Sequence, residues 1–86
     1  MNAKEMFEKL KYKLVSKNKN GIIYEFENNF ICFELKFISL SKDEIRYSHS
    51  LKCDLFLNTT KGASVDIDLE LNEAIQQQLK ELRFTK

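Results

Sequence analysis

The chain has 86 residues, 43% of them hydrophobic and 31% charged, with fourteen basic residues against thirteen acidic ones. That length holds one hydrophobic core and no second, so residues 1–86 read as a single domain. A charge balance near zero gives little long-range attraction for a polyanion, and the lack of proline with only two glycines argues against linkers and disordered tails.

Residues 2–10 read as a short helix. Asn2 stands three positions before Glu5, the spacing of a capping box, and Met6, Phe7 and Leu10 make one apolar stripe. Lys4, Glu5, Glu8 and Lys9 take the wet side. Residues 12–18 follow as a first strand, with Tyr12 and Leu14 on one face and Val15 on the other. The Asn18-Lys19-Asn20-Gly21 turn allows several loop lengths and leaves that strand's register open.

Ile22–Glu27 and Phe30–Phe37 alternate as a hairpin joined at Asn28-Asn29, since asparagine tolerates the positive φ of a two-residue turn. That loop sets Phe26 opposite Ile31, Tyr24 opposite Phe33 and Ile22 opposite Leu35, all apolar and on one face. Past a turn at Ser41-Lys42-Asp43-Glu44, every second residue from Ile45 through Tyr47, His49, Leu51, Cys53 and Leu55 to Leu57 falls on the inward face. This is one long bent strand or two in series. A loop at 41–43 sets Tyr47 opposite Phe37, Leu51 opposite Phe33 and Cys53 opposite Ile31.

After a turn at Asn58–Gly62, Ala63, Val65, Ile67 and Leu69 alternate with Ser64, Asp66, Asp68 and Glu70 in a last strand that pairs Leu57 with Ala63 and Leu55 with Val65. The final helix runs from about Asn72 to Arg83, with Leu71, Ala74, Ile75, Gln78, Leu79 and Leu82 on one face. The expected fold is α+β: an N-terminal helix, an antiparallel β-meander of about five strands, and a C-terminal helix. Both helices cover the one apolar face of the sheet.

The opening Met6-Phe7-Glu8-Lys9-Leu10-Lys11-Tyr12 with Ile23-Tyr24-Glu25 resembles the start of small uncharacterised proteins of Firmicutes and their prophages. Leu69-Glu70-Leu71-Asn72-Glu73-Ala74-Ile75 and the ending Lys80-Glu81-Leu82-Arg83-Phe84 are similar to their C-terminal helix. Those proteins tend to carry glycine where this chain has Lys11 and Arg83, at the left-handed helix-ending position. The resemblance implies a helix-and-strand fold of this kind and no known activity.

No catalytic constellation emerges. His49 is the only histidine and its inward neighbours Tyr47, Leu51 and Cys53 do not orient an imidazole for general-base work. Alternation puts Cys32 on the outer face and Cys53 on the inner, which rules out a shared metal or thiol site. Asp66, Asp68 and Glu70 read as a solvated acidic row, spaced ~6.5–7 Å apart along a strand and too wide for one cation. No enzyme, metal or cofactor is expected.

Two surfaces remain. The outer sheet face collects Ile23, Phe30, Cys32, Ile38 and Phe56 among charged residues, together with Leu40, a pattern that suits a protein partner or a second copy. The chain then reads as a non-catalytic interaction module, phage-derived on the resemblance above, with a homodimer as one form. The alternative is a nucleic-acid-associated protein using Lys9, Lys11, Lys13, Lys17 and Lys19, since the first twenty residues hold six lysines against two glutamates. No signal segment opens the chain and no apolar run approaches the ~20 residues of a membrane span, so a cytoplasmic, reduced protein without membrane association is expected.

Overall fold

Asn2 and Glu5 close the first helix as their spacing implies. The Asn2 side chain accepts the Glu5 N–H at 2.9 Å while the Glu5 carboxylate accepts the Asn2 N–H at 3.1 Å. In this computed structural model, which describes residues 1–27, 31–41, 44–54 and 64–84, α1 spans Ala3–Lys9. The helix ends through N–H bonds from Leu10 to Phe7 and from Lys11 to Glu8, both 3.0 Å. Lys11 takes φ 71°, a left-handed conformation that glycine adopts freely and an L side chain resists.

The strands are β1 (Tyr12–Asn18), β2 (Gly21–Glu27), β3 (Ile31–Ser39) and β4 (Ile45–Asp54), and α2 spans Leu69–Phe84. They form an antiparallel sheet in the order β1-β2-β3-β4. The α+β class with a helix at each end is as expected. Four strands stand among the described residues where about five were expected.

The β1–β2 hairpin turns at Lys19-Asn20, and the Asn18 side chain accepts the N–H groups of Asn20 and Gly21 at 2.8 and 3.1 Å. Tyr12 stands opposite Phe26 and Leu14 opposite Tyr24. A bulge at Val15 then shifts the register, so that Ser16 faces Ile23 and Lys17 faces Ile22.

The β2–β3 register differs from expectation by two residues: Phe26 faces Phe33, Tyr24 faces Leu35 and Ile22 faces Phe37. The connection is longer than a two-residue Asn28-Asn29 turn, since Glu27 and Cys32 are the last pair. Residues 28–30 lie outside the described residues. A shift of two preserves every face because the side-chain period is two, so the apolar matching survives the change of register.

The β3–β4 register is as expected over Phe37↔Tyr47, Leu35↔His49 and Phe33↔Leu51. A bulge then brings Cys53 opposite Cys32 and Asp54 opposite Ile31. The expected register, with Cys53 opposite Ile31, is therefore displaced by one extra residue. Residues 55–63, with the continuation to Leu57 and the turn to Gly62, lie outside the described residues.

The expected strand at 63–70 is not formed among its described residues, which contribute an isolated bridge between Ser64 and Ser50. Val65 lies beside His49, with its N–H bonded to the His49 carbonyl at 2.9 Å, and its expected partner Leu55 is outside the described residues. The row Asp66-Asp68-Glu70 is also broken up. Asp68 accepts the Leu71 N–H on its side chain at 2.8 Å, and its carbonyl takes the Asn72 N–H at 2.9 Å. Helix α2 therefore starts at Leu69 and not near Asn72, with Glu70 in its first turn. Aspartate caps a helix well, and its next-turn glutamate favours the positive end of the dipole.

One buried cluster joins Ala3 and Phe7 of α1, Tyr12, Ile22, Tyr24, Leu35 and Phe37 of the sheet, and Leu71, Ala74, Ile75 and Leu79 of α2. Phe7 has no exposed surface, and its ring centroid lies 4.1 Å from that of Tyr24 and 6.2 Å from that of Phe37. Polar groups in this core find partners. The Tyr24 hydroxyl donates to Gln78 at 2.7 Å, and the Ala3 N–H donates to the Glu81 carboxylate at 2.7 Å. Burial, with Glu81 and Glu8 nearby, raises the Tyr24 pKa to about 12, so the hydroxyl keeps its proton.

Substituting Lys11 by glycine relieves the left-handed strain and should stabilise the protein by roughly 1 kcal/mol, whereas Lys11→Val should destabilise it. Urea unfolding of the native chain and the two variants measures the order directly. Equal midpoints for the native chain and Lys11→Gly would show that the left-handed lysine costs nothing.

Candidate functional site

The registers of β1, β2, β3 and β4 bring four aromatic rings together at one end of the sheet. Tyr12 lies 5.4 Å from Phe26, Phe26 lies 5.7 Å from Phe33, Phe33 lies 5.4 Å from His49, and His49 lies 5.9 Å from Tyr12, between ring centroids. The circuit closes. Beside it opens a cleft of about 200 Å³ lined by Leu10, Tyr12, Phe26, Phe33, Asp68 and Leu71.

His49 is buried and uses both ring nitrogens. Nδ1 lies 3.2 Å from the Val65 carbonyl and Nε2 lies 2.7 Å from the Tyr12 hydroxyl. A carbonyl only accepts, so Nδ1 carries the proton and Nε2 accepts from the tyrosine. With the backbone bond from Val65 to the His49 carbonyl, residue 65 is gripped twice, once by main chain and once by imidazole. The segment leading into α2 is thereby tied to β4.

The chemistry of this pair is decided by its proton affinities. Burial lowers the His49 pKa, against smaller opposing effects of the Val65 and Asp66 backbone and of Asp68. Burial, with Asp68, raises the Tyr12 pKa to about 12. A neutral imidazole of weakened basicity facing a phenol that holds its proton gives no drive for proton transfer near pH 7. The pair acts as a latch.

The outer-face residues that the structure describes differ in exposure. Ile38 is exposed, Ile23 is half-buried and Cys32 is buried, while Phe30 and Phe56 lie outside the described residues. Ile38 stands opposite Gly21 and Ile23 opposite Lys36, so the two isoleucines are diagonal neighbours. They border a hollow of about 270 Å³ at Gly21. Farther along, Lys52 is bonded to Glu25, which holds its ammonium above the ordinary lysine value, and Lys36 lies 3.3 Å from Glu34.

The five lysines stand on different elements, although Lys11 and Lys13 border the same hollows. Lys9 ends α1, Lys11 occupies the left-handed turn and Lys19 sits in the hairpin loop. Lys13 faces Glu25, but the Val15 bulge puts Lys17 on the face of Ile22. Lys13, Lys17 and the bulge lie on an edge strand, where charge and irregularity block pairing with another chain. Among the described residues no group of three or more His, Cys, Asp or Glu could hold a metal ion, and no helix is long and apolar enough to cross a membrane.

Two members of the aromatic site escape the sequence reading. Tyr12 is hidden by the open register of β1. Asp68 alternates like a strand residue, although an aspartate three positions before Leu71 and the apolar face of α2 is a helix-start signal.

Protonated His49 could keep the Tyr12 contact only by reversing it, with Nε2–H donating to the phenol oxygen, and it would place a positive charge in a buried site. Its folded pKa lies below the ordinary 6.5, so as pH falls through 6.5 the unfolded chain takes up a proton that the folded protein resists. Stability should therefore be full above 6.5 and decline towards the lower folded value. Urea midpoints at pH 7.5 and 5.5 should drop for the native chain and stay nearly level for His49→Gln. Tyr12→Phe leaves Nε2 buried without a donor and should cost about 1–3 kcal/mol at pH 7.5. No protein family, curated protein or solved structure matches this chain.

Proposed function

We propose that the chain is a non-catalytic interaction module that pairs with a second copy of itself through the sheet face turned away from the helices. The observation that carries this reading is the placement of exposed Ile38 beside the hollow at Gly21. A β-carbon on Gly21 would run into the Phe37 carbonyl oxygen, so the position stays bare and the hollow stays open. One patch thus offers both an apolar knob and a hole. A two-fold pairing is self-complementary by construction, and Ile38 of each copy would enter the hollow of the other. Asn18, Asn20 and Lys36 supply a polar rim around it.

The non-catalytic part of the reading is supported by the Tyr12–His49 latch, whose two groups are both held neutral. Lysines spread over a helix end, a turn, an edge strand and a hairpin loop offer less of a nucleic-acid surface than a continuous basic stripe would.

Light scattering over a wide concentration range should give twice the chain mass at high concentration for the native protein. Ile38→Glu should remain a monomer throughout, with unchanged circular dichroism and a stability change within about 0.5 kcal/mol, as for an exposed position. A native protein that stays monomeric, or an Ile38→Glu protein that still dimerises, removes this reading.

A further inference from the structure

On the opposite side of the sheet from that patch, the cleft beside the aromatic circuit has a composition that the latch does not explain. Three of its six described lining residues are aromatic, Tyr12, Phe26 and Phe33, and two more are leucines. The sixth is Asp68, the single charged group among them. The Phe26 and Phe33 rings are stacked, 5.7 Å apart at 21°, and Tyr12 tilts towards Phe26 at 42°. Ring faces carry negative electrostatic potential, so stacked rings beside a carboxylate favour a cation whose surface is apolar.

We propose that this cleft binds a methylated ammonium group. Such a group spreads its charge over methyl surfaces and gives up water at small cost. A bare ammonium or a metal ion would lose strong hydration for mostly carbon contacts. An anion is disfavoured although the start of α2 is close. Asp68 already takes the Leu71 N–H at 2.8 Å, and its negative charge stands in the way. Size decides against larger ligands. About 200 Å³ lies below the roughly 300–1,000 Å³ of pockets for drug-sized molecules, so a compact head group fits and a nucleotide does not.

Two sources share this chemistry: a choline-type small molecule and an N-trimethylated lysine side chain. The experiment titrates the full chain with choline, with trimethyllysine as the free amino acid, and with 3,3-dimethylbutan-1-ol, the uncharged carbon counterpart of choline. The readout is the NMR shift of the phenylalanine and tyrosine ring signals. Choline or trimethyllysine should bind about tenfold tighter than the neutral alcohol. A preference for one of the two cations assigns the source, and comparable binding of both assigns the ammonium head alone.

Asp68→Asn keeps an oxygen for the Leu71 N–H and removes the charge, so the fold should hold while cation affinity falls severalfold. Phe33→Leu keeps apolar volume and removes one ring face, so selectivity over the alcohol should shrink. Equal affinity for cation and alcohol makes the cleft merely apolar and overturns the proposal. So does the absence of ring shifts at tens of millimolar choline, or unchanged cation affinity in folded Asp68→Asn. None of these results depends on self-association through Ile38, which lies on the other face.

Discussion

The packing of Phe7 against three strands of the sheet is the contact on which the molecule depends. A sheet with one apolar face cannot leave it wet. Phe7 approaches Tyr12 on β1, Tyr24 on β2 and Phe37 on β3, and belongs to the cluster holding Leu71, Ala74, Ile75 and Leu79 of α2. A seven-residue helix has almost no stability of its own, since nucleation costs more than so few hydrogen bonds return. The capping box, the Lys11 turn and the Ala3–Glu81 bond hold α1 at the angle from which Phe7 can reach all three strands. Local order at α1 and burial of the sheet are one event.

A second constraint sits at the other end. The chain between β4 and α2 has little regular structure among its described residues, yet α2 must begin at a definite place for Leu71 and Ile75 to meet the core. His49 and Asp68 fix that place together. The imidazole holds Val65 against the sheet, and the carboxylate opens the helix three residues later. An imidazole suits its role because it donates and accepts at once, joining a carbonyl on one side to a phenol on the other. Its cost is a titratable group placed where charge is unwelcome.

Much of this architecture is legible in the residues. Apolar alternation marks four strands and their inward faces, and the face of α2 follows residue by residue from Leu71 to Leu82. What fails are places where one local rule hides another. The Asn28-Asn29 pair suggests the shortest turn, but a connection two residues longer keeps the same faces inward, and alternation cannot distinguish them. The bulges at Val15 and between Leu51 and Cys53 leave no clear trace in a pattern of period two. The second of them moves Cys53 from Ile31 to Cys32 in the backbone register. Residues 64–70 alternate as a strand would, yet Asp68 and Glu70 are also good first-turn residues, and capping together with the burial of Leu71 and Ala74 prevails. The aromatic site is missed for the same reason. It is assembled by registers, and two of the three are open or displaced.

The protected edge at β1 has a bearing on assembly. Lysines and a bulge on that border prevent strand-by-strand growth, the route by which a sheet recruits copies without limit. Contact made face to face has the opposite arithmetic. An isologous patch consumed by one partner would leave nothing for a third, so the proposed pairing would close at two. The irregularity of β1 thus works against polymerisation along that border and would leave a face-to-face pairing finite.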